Sequence, residues 1–148
     1  MTNDAYSVTA SCSPNAHDRV AVCSRSFSSN ALLRAELLAR YTQVTFNDAG
    51  RQLAGDALVE FLQGHDKAIT ALEVIDHSIL GRLPELKVIG KYGVGLDMID
   101  LAAMRSHGKR LGWTAGVNRR SVSELVIGSA ISMLRHVPAA ATRLESAA

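Results

Sequence analysis

The sequence predicts an α/β domain built on a five-stranded parallel sheet with helices on both faces. Three observations predict it. From Arg19 onward short β-prone runs alternate with longer helical ones, the connections are short, and no internal repeat or low-complexity linker interrupts the alternation. Right-handed crossovers place successive helices on the two faces of such a sheet. The expectation is a flavodoxin-like three-layer domain whose ligand crevice lies beyond the C-terminal ends of the strands.

The elements follow in order. RVAVCS (19–24) reads as the first strand, and SSNALLRAELLARY (28–41) as a helix with Leu32, Leu33, Leu37 and Leu38 on one face and Ser29 or Asn30 as its cap. QVTFND (43–48) is the second strand. GDALVEFLQGH (55–65) is a helix with Asp56 near its start and Gly64 near its end. KAITAL (67–72) is the third strand, followed by a short helix that Pro84 ends. LKVIGKYG (86–93) is the fourth, DMIDLAAMRSHG (97–108) its helix, capped by Asp97, and RLGWTAG (110–116) the fifth strand, with Trp113 as core. SVSELVIGSAISMLRHVP (121–138) is the longest helix, with Ser121 and Glu124 at capping-box spacing and Pro138 as its stop. Met98, Met104 and Met133 read as core filler.

Composition narrows the function classes. The 148 residues are 47% hydrophobic and 20% charged, values of an ordinary globular chain. A formal net charge of +2, evenly spread, gives no basis for a nucleic-acid or membrane-surface partner. Cys12 and Cys23 have neither CxxC nor Cys/His spacing, so no metal site or disulfide framework is indicated, and a reduced, cytoplasmic setting is the simpler reading. The first residues lack a basic n-region and an apolar core, which argues against a signal peptide. No apolar run reaches the roughly 18 residues of a membrane span. The expectation is a soluble protein with a disordered tail over residues 1–18.

The sharpest local signal is KVIGKYGVGLDMIDL at 87–101. Gly93 and Gly95 permit backbone angles that a β-carbon forbids, so the amides of Val94 and Gly95 can turn outward at the strand end and meet a small anion. Lys91, two residues earlier, adds a positive charge. A tight strand-to-helix turn with no ligand is the competing reading, because GxG alone is common. Asn118, Arg119 and Arg120 fall in the loop after the fifth strand and are candidates for a bound anion, with solvated loop charge as the alternative. Ser24, Arg25 and Ser26 follow the first strand toward the crevice. Glu124 reads as a cap and His136 as a helix-end residue, and neither as a catalytic group. The other histidines show no ligand spacing. A helix apolar on nearly all sides, as 122–137 is, is built to be covered on nearly all sides.

The order LKVI, GVGLDMID, AA, TAGVN and SVSE across residues 83–138 resembles the substrate-domain segment of the D-isomer-specific 2-hydroxyacid dehydrogenases, a family that includes phosphoglycerate, formate and phosphite dehydrogenases. The part upstream resembles it in element order. The resemblance implies a substrate domain of flavodoxin-like fold paired with a Rossmann domain that binds NAD or NADP, with the active site between them. It implies that Gly93, Val94 and Gly95 present amides to the carboxylate of a small 2-hydroxy or 2-keto acid, with Val94 near the nicotinamide, Lys91 in contact with substrate and Asn118 lining the site. Met98, Ala115 and Ser123 depart from the family's frequent asparagine, proline and alanine. No GxGxxG is present, so the Rossmann part and the family's catalytic arginine, glutamate and histidine are expected to be absent.

The resulting expectation is a truncated, phosphoglycerate dehydrogenase-like enzyme, inactive alone. Residues 19–120 would form the substrate domain, 121–138 the helix connecting to the Rossmann domain, and 139–148 a tail. A homodimer or the missing cofactor domain would cover residues 122–137. The alternative is a non-catalytic binding or oligomerisation module of the same fold. A receiver domain is disfavoured, because Ser24-Arg25 and Thr70-Ala71 stand where acidic residues would be needed.

Overall fold

The computed structural model describes residues 17–146, so the expectations for Cys12 and for nearly all of the N-terminal tail lie outside the described residues. The chain forms two compact units, Met1–Trp113 and Thr114–Ala148. This division falls seven residues before the boundary drawn from the sequence.

In the first unit β1 (Arg19–Val22) leads through a short helix α1 (Arg25–Ser28) to α2 (Ala31–Leu38), then β2 (Gln43–Phe46), α3 (Gly55–Leu62) and β3 (Lys67–Thr70). The chain continues through α4 (His77–Leu80), β4 (Val88–Lys91), α5 (Leu101–Ser106) and β5 (Arg110–Gly112). All five strands are parallel, in the order β2-β1-β3-β4-β5. Strand order reverses between β1 and β3. That reversal leaves a crevice at the carboxyl ends of those two strands.

Burial explains the pattern. Val20, Ala21 and Val22 of β1 are all buried, as a central parallel strand covered on both faces requires. The core continues through Leu58 and Leu62 of α3, Ile89 of β4 and Met104 of α5. Ile75 pairs with Ile99 in an isolated parallel bridge and joins the lead-ins of α4 and α5.

Several expectations are corrected. Helix α1 was not foreseen; Ser24 accepts the Phe27 amide and nucleates it. Asn30 alone caps α2, its Oδ1 accepting from Leu32 and Leu33. The leucine stripe of α2 is not a core face, because Leu33 and Leu37 are half-buried while Leu32 and Leu38 are exposed. Helix α5 starts four residues later than predicted, because Asp97 and Met98 form a turn closed by the Ile99 amide on the Leu96 carbonyl, and Ile99 then joins its bridge before Asp100 caps the helix. Asp97 is therefore not the cap. Trp113 follows β5 instead of lying within it, half-buried against the core. Met104 is core, but Met98 and Met133 are exposed.

At the amino ends of the strands Asp66 gathers charge. Its carboxylate accepts the Arg19 amide at 3.0 Å and meets Arg19 Nε at 3.3 Å and Lys87 Nζ at 3.1 Å. The Arg19 backbone bond, with Lys87 and the Arg19 guanidinium, holds the carboxyl down at about 2 from its usual 3.8. A depressed folded-state value stabilises the fold above the unfolded pKa, and that contribution is lost as pH falls through the folded one. Stability is expected to decline from about pH 4 towards pH 2. Asp66→Asn should flatten that decline and cost about 1–2 kcal/mol at neutral pH, read by urea titration at each pH; an unchanged acid profile would contradict it.

In the second unit α6 (Arg119–Leu134) and α7 (Val137–Glu145) are separated by Arg135 and His136. Helix α6 begins two residues before the predicted start, so Ser121 lies inside it and the capping box does not form. Glu124 instead takes Arg120 Nε at 2.8 Å. Residues 119 and 120 are thus helical, not loop. His136 adopts φ 55°, and Pro138 sits in the first turn of α7. A proline there forfeits no hydrogen bond, since the first-turn amides of a helix have no partner within it, so Pro138 starts a helix where it was expected to stop one. Residues 139–145, expected as tail, are helical. No residue of α6 is buried. No single helix among the described residues is long and apolar enough to cross a membrane; α6 and α7 reach that length only as a pair bent by 61°.

Candidate functional site

The glycine turn leaves the carboxyl end of β4. Tyr92 donates its amide to the Thr70 carbonyl at 2.8 Å, the last ladder bond, and the chain then turns at Gly93 with φ +133°. Such a φ is open to glycine and strains a residue with a side chain. Among the described residues the amides of Gly93, Val94 and Gly95 donate to no protein acceptor, and both glycines are exposed. Consecutive donors at a strand end form a concavity that suits a small anion. Trp113 Nε1 donates to the Val94 carbonyl at 3.0 Å, so the residue after β5 braces the turn.

Two charges qualify this picture. Lys91 runs beside the turn, its Cε 3.9 Å from where a Gly93 β-carbon would stand, but its ammonium donates to the Ala71 carbonyl. It ties β4 to the loop after β3. Gly95 has no left-handed backbone, yet a β-carbon there would lie 3.3 Å from Asp97 Oδ2. The glycine makes room for a carboxylate. Asp97 thereby offsets part of the attraction that the amides and Lys91 exert on an anion.

Asn118 belongs to the second unit, at the N-cap position of α6, where its side chain makes no capping bond. The first unit thus brings Lys91, Gly93, Val94 and Gly95 together on one strand end, and Asn118 stands on a different unit.

The first unit also carries an open cleft of about 670 Å³ beyond the ends of β1, β2 and β3. Ser24, Arg25 and Ser26 line it, with Asn47, Leu53 and Glu73. None of the turn residues does. Its polar walls are largely satisfied internally: Asn47 donates to the Cys23 and Arg51 carbonyls at 2.9 and 2.8 Å and accepts the Arg51 amide, tying β1 to the β2 loop. Glu73 accepts the Ala71 amide at 2.6 Å. Burial, with the Glu73 charge, pushes the Cys23 thiol far up, so it stays protonated and unreactive.

Sequence reasoning missed Trp113 as a brace and Asn47 as a loop tie. The Asn-Asp pair directly after β2 was the available signal, since asparagine side chains mimic turn backbone. Thr70, at the end of β3, is buried with no partner for its hydroxyl among the described residues. Thr70→Val should raise stability by about 1 kcal/mol by removing that unpaired group, measured as the urea midpoint; a loss of similar size would show a partner.

Residues 20–148 match the family model for the D-isomer specific 2-hydroxyacid dehydrogenase catalytic domain. The chain is 31% identical over 97 residues to YoaD of Bacillus subtilis, named as a 2-hydroxyacid dehydrogenase, covering 64% of this chain and 28% of that protein. It is 41% identical over 61 residues to the (S)-sulfolactate dehydrogenase of Chromohalobacter salexigens, covering 41% of this chain and 19% of the relative. Among solved structures, the NAD+-bound 3-phosphoglycerate dehydrogenase of Entamoeba histolytica superposes with a TM-score of 0.62 at 23% identity, over 79% of this chain and 39% of that one. That likeness shows the fold. The chain spans 28% and 19% of the lengths of the two curated relatives.

Proposed function

The chain belongs to the D-isomer-specific 2-hydroxyacid dehydrogenase family, and on that premise we propose that it supplies the substrate-holding part of an NAD(P)-dependent oxidoreductase acting on small 2-hydroxy or 2-keto acids. The observation that carries this reading is the run of unpartnered amides at Gly93, Val94 and Gly95. Two or three such donors fix a carboxylate in position and so orient the neighbouring carbon, which contributes to rate only when a reaction partner is also held. Lys91 adds positive charge beside the acid, and Val94 would face the nicotinamide if the cofactor were bound.

These residues do not fit a cradle for the rest of the cofactor. A pyrophosphate site needs a free helix start behind a GxGxxG turn, whereas the helix after this turn is closed by Asp100, whose Oδ1 accepts the Ala102 and Ala103 amides at 2.9 Å. Neither Glu124 nor His136 offers an acid or base here: Glu124 is an exposed partner of Arg120, and His136 sits at a helix break. A polypeptide of these 148 residues is therefore expected to bind a carboxylate weakly and to turn over nothing.

The test is an amide NMR titration of the 148-residue chain with glycerate and glyoxylate. Shifts concentrated at Gly93, Val94 and Gly95, with no oxidation or reduction when NAD(H) or NADP(H) is added, are expected. Shifts elsewhere alone, or saturable turnover, would overturn the reading. The exposed apolar side chains of α6 favour a second reading, a self-association module.

A further inference from the structure

We propose that His77 and His107 form a two-histidine site for a divalent transition-metal ion, clamping α4 to the end of α5. The two residues are thirty apart in sequence, yet His77 Nδ1 and His107 Nε2 lie 3.1 Å from each other. Two imidazole nitrogens on one tetrahedral zinc, each at about 2.0–2.1 Å, lie about 3.3 Å apart. The ring centroids are 4.6 Å apart and the rings are tilted by 50°, so they do not lie end to end.

The surrounding structure holds this arrangement in advance. His77 opens α4, whose first turn Asp76 fixes by accepting the Ile79 amide at 3.0 Å, and His107 closes α5, which Asp100 caps. The stretches leading into both helices are joined by the Ile75–Ile99 bridge, with Ile75 donating to the Met98 carbonyl at 2.8 Å and Asp100 to the Ile75 carbonyl at 2.9 Å. Gly81 keeps the space open. A β-carbon there would stand 3.2 Å from the His77 carbonyl and 3.7 Å from His107 Cε1.

The chemistry balances without another reactant. In the neutral pair one ring donates its N–H to the other; on metal binding that proton moves to the donor ring's outer nitrogen, and both inner lone pairs are free to coordinate. Among the described residues no group of three or more His, Cys, Asp or Glu converges on a metal position, so water completes the shell. Two neutral imidazoles favour Cu²⁺ over Ni²⁺ or Zn²⁺, and all of these over Mg²⁺.

Thermal unfolding of the 148-residue chain with Zn²⁺, Ni²⁺ or Mg²⁺ tests the site, since an ion that binds the folded state raises its midpoint with concentration. A saturable rise with Zn²⁺ and Ni²⁺ but not Mg²⁺, lost in both His77→Gln and His107→Gln, is expected. Paramagnetic Ni²⁺ should also broaden the ring signals of these two histidines in the unaltered chain before those of His17, His65 and His136. An equal rise in either variant, no rise at all, or broadening that starts at another histidine would overturn the proposal.

Discussion

Gly93→Val is expected to abolish the carboxylate-induced amide shifts at Val94 and Gly95 and to cost about 1–3 kcal/mol of stability. Gly93 has φ +133°, where a branched side chain clashes with its own backbone. The turn must therefore rotate out of the shape that leaves three donors unpaired side by side. A stability loss alone would not implicate the turn. Gly108→Val supplies the comparison: Gly108 also has a left-handed φ, +63°, with open space around its missing β-carbon, and lies at the end of α5. It should cost comparable stability and leave the carboxylate response intact. Both variants losing the response would trace it to general loosening.

The second large effect is expected on α6. Leu125, Val126, Ile127, Ile131 and Leu134 are each more than half exposed, a far larger apolar surface than a solitary helix presents to water without consequence. The unaltered chain should associate as its concentration rises. Replacing Leu125, Ile131 and Leu134 together by lysine should return it to a single 15.8 kDa species in sedimentation, without moving the thermal midpoint of the first unit. The form of the association separates the two readings. A broad mass distribution fits a face shaped for another lobe, whereas a single stoichiometric dimer that the lysines dissolve fits the self-association module. No association at any concentration would remove the basis of the self-association module.

The parallel sheet was legible in the sequence because its strands are short apolar runs with clear punctuation, and alternation with helices admits few topologies. Helix starts were less legible where two polar residues competed for one cap. Ser29 and Asn30 differ only in which amides each can reach, and Asp97 loses to Asp100 because Ile99 first pairs with Ile75, twenty-four positions away. Local spacing carries no trace of such a partner. Pro138 shows the same limit: a proline suits the position just past the end of one helix or the first turn of the next, and the left-handed φ at His136 is where one helix ends and the next begins. The turn itself was visible as Gly93 and Gly95, but the charges around it were not. That Lys91 is taken by Ala71, and that Asp97 shadows Gly95, are facts of three-dimensional proximity.

The strand order β2-β1-β3-β4-β5 also bears on how the molecule comes together. Only β2 lies outside β1; every strand from the third onward adds to one growing edge, so a nascent polypeptide can extend its sheet in the direction of synthesis. Closing β1 onto β3 spans over forty residues, as Val20 pairs with Lys67, and carries the largest loop-closure entropy of the strand pairings. Among the described residues nothing after Gly112 enters the ladder. A ribosome that has released Trp113 has delivered everything the sheet requires.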